Sequence, residues 1–122
     1  MLYACHMTKT LVYKILTGEQ WTDAKRAGRI EGAPIDLADG YIHLSTAQQA
    51  RETAAKHFAG MKDLVLAAVD AGMLGDGLIY EISRGGALFP HYYGRIDLAC
   101  VVWCKPLPLG DGGAHAFPEL SA

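Results

Sequence analysis

At 122 residues, 51% apolar and 20% charged, the chain has the size and balance of one soluble globular domain able to bury a real core. A net charge of −2 excludes the broad basic surface that non-specific nucleic-acid binding requires, and no apolar run approaches the length of a membrane span. The three cysteines, Cys5, Cys100 and Cys104, are odd in number and lack a metal-type spacing, so reduced thiols in a cytoplasmic setting are the expectation.

Residues 1–10 carry neither the basic start nor the apolar middle of a signal peptide and read as a loose arm, with Met7 as a second candidate start. The domain is expected over 11–109, followed by a tail over 110–122 that is announced by Pro106, Pro108 and Gly110. Leu11 to Leu16 is apolar and partly β-branched, which predicts a first strand. Thr17 and Gln20 then stand at the capping-box spacing, so a helix should follow, with Gly28 as its terminator. Arg29 to Ala38 contains Gly32 and Pro34 and reads as mostly loop.

Asp39-Gly40 is a turn signal, and the segment from Tyr41 to Ser45 reads as a short strand. Alternation sends Ile42 and Leu44 to the core and Tyr41, His43 and Ser45 to the opposite face. Thr46 with Gln49 repeats the capping-box spacing and predicts a second helix running to about Ala59, its buried stripe formed by Ala47, Ala50, Ala54 and Phe58. The free N–H groups at the start of that helix would lie near the polar strand face and offer a site for an anion or nucleotide.

Leu64 to Val69 is a continuous apolar run between two aspartates, the pattern of a strand covered on both faces and the best candidate for the sheet centre. A glycine-rich connection over Ala71 to Gly77 leads to a strand at Leu78 to Ser83, where Glu81 interrupts the apolar pattern. Leu88 to Gly94 is an aromatic segment that Pro90 and Gly94 should keep irregular, and Asp97 to Trp103 reads as a last strand. Two early helices followed mainly by strands indicate an α+β fold with antiparallel or mixed pairing.

Three residues are candidates for chemistry. His43 projects from an apolar strand, and imidazole is the side chain most readily tuned near neutral pH; its alternative is a hydrogen-bonded structural role. Glu81 must face solvent, pair, or sit in a cleft. His91 lies in the aromatic segment, where irregular backbone often holds ligand groups. Lys14 could reach an anion or extend to water. His43, His91 and Glu81 are also metal-ligand types, but no short motif unites them and no metal is expected.

With these segments in place, the chain resembles the small bacterial family known as domain of unknown function 952. The resemblance rests on Val12-Tyr13-Lys14-Ile15, Trp21, Asp39 to Thr46, Gln49, Leu64-Val65-Leu66, Tyr80-Glu81, Leu88 to His91 and Tyr93-Gly94. More distantly, the succession of strand, helix, a strand reading His43-Leu44-Ser45, helix and apolar strand is similar to the catalytic domain of NAD-dependent RNA 2′-phosphotransferases. That likeness implies an ADP-ribosyltransferase-like split sheet, mixed or antiparallel, with two main helices in the N-terminal half and a nucleotide cleft lined by Ile42 to Ser45. The His-Gly-Thr strand of those enzymes is replaced here by Lys14-Ile15-Leu16-Thr17, and their N-terminal RNA-binding half has no counterpart, so RNA 2′-phosphate transfer is not expected.

The resulting expectation is a cleft that binds a nucleotide or related phosphorylated small molecule, NAD or ADP-ribose being the candidates, with transferase or hydrolase chemistry. The alternative is a non-catalytic ligand- or protein-binding module on the same fold. Catalytic roles are assigned to His43, Glu81 and His91, and ligand contacts to Tyr13, Lys14, Tyr41, Ser45, Thr46, Gln49, Phe89 and Tyr93.

Overall fold

The computed structural model describes residues 10–121. The expectations for the arm before Thr10, and for Cys5 within it, lie outside those residues. The centre is a three-stranded sheet in the order β1-β4-β8, formed by β1 (Leu11–Thr17), β4 (Leu64–Asp70) and β8 (Val101–Pro106). Every strand pair among the described residues is antiparallel.

β4 is central and covered on both faces, as its unbroken apolar run requires. Alternation divides its side chains between two cores. Ala67 and Val69 join Val12, Leu16, Ile30, Ile42, Leu44 and Ile96 on one side. Leu64, Leu66 and Ala68 join Leu11, Tyr13, Ile15, Ala54 and Leu107 on the other.

Helix α1 (Gly18–Ala27) forms where the capping box predicts it. The Gln20 amide donates to Thr17 Oγ1 at 3.0 Å, the Thr17 amide donates to Gln20 Oε1 at 3.0 Å, and Gly28 closes the helix at φ +83°. Thr17→Ala is expected to lower stability by about 1 kcal/mol in urea denaturation, the usual loss for a removed N-cap.

The segment expected as loop instead contains β2 (Arg29–Ile30), paired with β7 (Ile96–Asp97), and helix α2 (Pro34–Asp39). Proline at the first helical position needs no N–H and has its φ preset. Asp36 fixes the start by accepting the Ala33 amide at 2.7 Å. Helix α3 (Ala50–His57) begins later than predicted. Gln49 Oε1 does accept the Thr46 amide at 3.1 Å, but no side-chain cap completes the box, and residues 46–49 form a turn ahead of the helix. The predicted buried stripe is present, with Ala50 and Ala54 buried and Ala47 and Phe58 packed on the second core.

A short helix α4 (Ala71–Leu74) follows β4, capped by Asp70, which accepts from the amides of Gly72 and Met73. A second sheet has the order β3-β6-β5, from β3 (Ile42–His43), β6 (Leu88–Tyr92) and β5 (Leu78–Ile82). The backbone around His91 is therefore regular strand, not the irregular segment that Pro90 led us to expect. Pro90 is tolerated because both its carbonyl and its ring nitrogen face β3, and the carbonyl accepts from the Leu44 amide at 3.0 Å. Having no N–H to return the bond, Pro90 ends the ladder there, which keeps β3 to two residues.

The last strand also starts later than predicted. Asp97 accepts from the Ala99 amide at 2.8 Å, and this turn curls Leu98–Cys100 before β8 begins. Cys100 and Cys104 are free thiols, and burial pushes that of Cys104 up to about 11, despite the opposing effect of Lys25. The chain after β8 packs rather than trails. Leu107 is fully buried and donates its amide to the Leu64 carbonyl at 2.9 Å, while Phe117 and Leu120 lie on the second core.

Candidate functional site

Among the described residues the two sheets meet at a single bridge. The Tyr13 amide donates to the Ser45 carbonyl at 2.8 Å and the Ser45 amide to the Tyr13 carbonyl at 2.9 Å, and beyond this point β1 and β3 separate. The groups exposed by that separation must be satisfied. Lys14 and Asp36 do so: the His43 amide donates to Asp36 Oδ1 at 3.0 Å, and the His43 carbonyl accepts from Lys14 Nζ at 3.1 Å. Lys14 Nζ also lies 2.8 Å from Asp36 Oδ2, so one buried ion pair props the split between the sheets.

Burial holds the Lys14 ammonium below its ordinary pKa, and Asp36 restores only part of the difference. Burial alone would raise the carboxyl of Asp36, but Lys14 and then His43 outweigh it and hold that carboxyl below its ordinary value. Lys14 is thus neither reaching to water nor free for a ligand; its charge is matched inside the protein. Asp36 is a residue of this split that sequence reasoning missed. It was assigned to loop, and only the αL turn at Gly40, with the buried neighbours it leads to, brings the carboxylate under the strand.

A cavity of about 730 Å³ opens at the split, well within the range of small-molecule sites. Of the residues expected to contact ligand, Tyr13, Lys14, Tyr41, Ser45 and Phe89 line it together with His43 and His91. The Tyr13 hydroxyl, however, is committed to the backbone of Ser121, donating to its carbonyl and accepting from its amide. The Ser45 hydroxyl is 2.9 Å from that of Thr53.

Thr46 and Gln49 do not line this cavity, and Gln49 Nε2 instead donates to the Leu88 carbonyl at 2.7 Å. Because α3 starts only at Ala50, it offers the cavity the side carrying Thr53 and His57 rather than its N-terminus. The expected seat for an anion on that helix end is absent from the cavity wall.

His43 and His91 are cross-strand partners on β3 and β6. With the Leu44–Pro90 bond beside them, they form a non-hydrogen-bonded pair, the kind that brings side chains closest. Their rings lie edge to face with centroids 5.5 Å apart. Tyr41 packs over both, stacked on His91 at 4.1 Å and tilted against His43 at 4.8 Å.

Each imidazole is held by a carboxylate. His43 Nδ1 is 2.6 Å from Asp36 Oδ1, and its Nε2 is 3.0 Å from Asp39 Oδ2. His91 Nδ1 is 2.7 Å from Glu81 Oε1. The Tyr93 hydroxyl donates to both oxygens of Glu81, at 2.8 and 3.0 Å. Hydrogen bonds from His91 and then Tyr93 hold the Glu81 carboxyl below its ordinary value, while Glu81 raises the Tyr93 phenol. Glu81 reaches the site through His91, and Tyr93 through Glu81 and the Tyr41 ring 5.3 Å away, so neither forms its wall. Among the described residues no group of three or more His, Cys, Asp or Glu is arranged to hold a metal ion, and no helix is long and apolar enough to cross a membrane.

Residues 15–104 match the family described as "Protein of unknown function (DUF952)". The chain is also similar to protein CC0527 from Caulobacter crescentus. Its crystal structure shares 50% sequence identity and a TM-score of 0.84, covering 88% of this chain and 94% of that one. The solution NMR structure of the same protein gives 51% identity and a TM-score of 0.77, with 85% and 90% covered. No match was found among curated proteins. A family match over most of the chain, joined by a half-identical structure of nearly the same extent, shows that this protein belongs to the DUF952 family.

Proposed function

We propose that the cavity binds a nucleotide or a closely related phosphorylated small molecule of the NAD or ADP-ribose type, on a split sheet of ADP-ribosyltransferase-like architecture. The observation that carries this reading is the convergence of His43 and His91 on a cavity of about 730 Å³, at the point where β1 and β3 part after one bridge. Tyr41 and Phe89 offer aromatic surface to a base or pyridine ring, and the imidazoles offer donors and acceptors to phosphate and ribose oxygens.

Transferase or hydrolase chemistry would draw on the same pair, with Glu81 positioning His91. One observation favours the non-catalytic alternative: the buried lysine that could have stabilised a developing anion is already neutralised by Asp36. In that reading the cavity holds its ligand and returns it unchanged.

Thermal unfolding in the presence of ADP-ribose and of NAD tests binding. A ligand at one hundred times its dissociation constant adds about 2.7 kcal/mol, so the midpoint should climb with concentration for the wild type. His43→Ala and His91→Gln should lose that climb, each measured against its own unliganded midpoint. No shift with either compound at millimolar concentration overturns the reading. Product analysis after long incubation then separates turnover from retention.

A further inference from the structure

We propose that β5 pairs with β5 of a second copy of this chain, antiparallel about a two-fold axis at Tyr80, so that the two smaller sheets join into one. The inference is independent of the ligand the cavity takes.

β5 is the outer strand of the second sheet, in the order β3-β6-β5. At one end of its ladder the Tyr93 amide donates to the Gly77 carbonyl at 2.9 Å, and at the other the Ser83 amide donates to the Ala87 carbonyl at 2.9 Å. Bonds to one neighbour recur at every second residue of an antiparallel strand. Ile79 and Glu81 therefore also face β6, while Leu78, Tyr80 and Ile82 turn their N–H and C=O groups outward. The Leu78 amide donates to the Gly75 carbonyl, but those of Tyr80 and Ile82 meet no partner among the described residues. Free edges are normally blunted by a lysine, a proline or a bulge. β5 has none of these: its register with β6 is unbroken, and its one charged side chain, Glu81, is tied to His91 and Tyr93.

Apolar surface lies beside this edge. Tyr80, Ile82 and Leu88 share one face of the sheet, the last two as cross-strand partners, and they are 42%, 74% and 54% exposed. That is the side of the sheet on which Leu78 and Tyr92 pack against the first core.

A second copy fits the edge because β5 is its own complement. Centred on Tyr80, a two-fold axis sets Leu78 opposite Ile82 of the second copy and Tyr80 opposite Tyr80, so the outward groups meet in register. The Ile82 amide then donates to the Leu78 carbonyl of the second copy, and the exposed Tyr80 and Ile82 side chains gain cross-strand neighbours. Glu81 falls opposite Ile79. Centring on Glu81 would set two carboxylates face to face, and centring on Ile79 would leave Ile82 unpaired. The favoured register also carries Asp76 of each copy towards Arg84 of the other, residues of opposite charge just beyond the two ends of the strand. Such an isologous contact closes after two copies, which yields a dimer and no fibre.

Sedimentation equilibrium of the full chain between about 10 µM and 1 mM reads the association directly. The expected result is a reversible equilibrium between monomer and dimer, with no larger species. Ile82→Lys puts a charge on the edge, and Tyr80→Pro deletes an outward N–H without removing a bond to β6; each should weaken the dimer by about tenfold or more. Thermal unfolding checks that the variants fold, and Ile82→Lys, at a side chain already mostly in water, suffices if the proline variant does not. Tyr80→Cys should form more disulfide-linked dimer on mild oxidation than the wild type, since residues of a hydrogen-bonded antiparallel pair lie about 5.5 Å apart, within disulfide reach. A chain that stays monomeric at the highest concentration overturns the proposal. So does a dimer that Ile82→Lys leaves intact or that Tyr80→Cys fails to cross-link.

Discussion

Replacing Asp36 by alanine is expected to remove about 3–5 kcal/mol of folding stability, the loss typical of a buried ion pair deprived of one partner. Domains of this size hold only about 5–15 kcal/mol in total, so urea denaturation should show a midpoint collapse. The reason lies in what remains: a Lys14 ammonium with 7% of its side chain exposed and no counter-charge, and the amides of Ala33 and His43 without their acceptor. Adding Lys14→Met to Asp36→Ala should recover more than half of the loss, since the stranded charge is the larger part; the two amides account for the remainder. A single variant within 1 kcal/mol of wild type would show that the pair does not hold the split.

Asp36 also predicts the acid limb of the stability curve. Its folded-state carboxyl lies below the ordinary value, so the unfolded chain takes up the proton first on acidification. The contribution is fully present above the unfolded carboxyl pKa of about 3.9 and disappears as pH falls through the lower folded value. Asp36→Asn should flatten this limb below about pH 4.

The second large effect is expected at Leu107, beyond the last strand. Leu107→Ala should cost about 2–5 kcal/mol, comparable with Leu66→Ala in the central strand, because both side chains are fully buried in the same core. A loss under 0.5 kcal/mol in denaturant titration would show that the stretch after β8 is not part of the core. Its packing also bears on β1, since the Tyr13 hydroxyl is bonded at Ser121.

Several features were legible because they are local. The Thr17–Gln20 box and Gly28 bound α1 through contacts within one helix, and the Leu64 to Val69 run could only be a strand covered twice. Alternation placed His43 opposite Ile42 and Leu44 without any knowledge of neighbours. Misjudged segments depend on partners distant in sequence. Pro90 looked like a strand breaker, yet it sits inside β6 because its missing donor falls where β3 ends. Thr46 and Gln49 have the spacing of a cap, but Gln49 is drawn to Leu88, and the helix end they were expected to form does not face the cavity.

What the sequence determined by itself was the α+β class, the central strand, the first helix and the residue types that can act at a site, because propensity, periodicity and capping act over a few residues. The tertiary structure alone decided that Lys14 is neutralised by Asp36, that His43 and His91 meet across a non-hydrogen-bonded pair, and that Leu107 is core. Those outcomes depend on which backbone groups a split between two sheets leaves unpaired and on which side chain, however far along the chain, reaches them first.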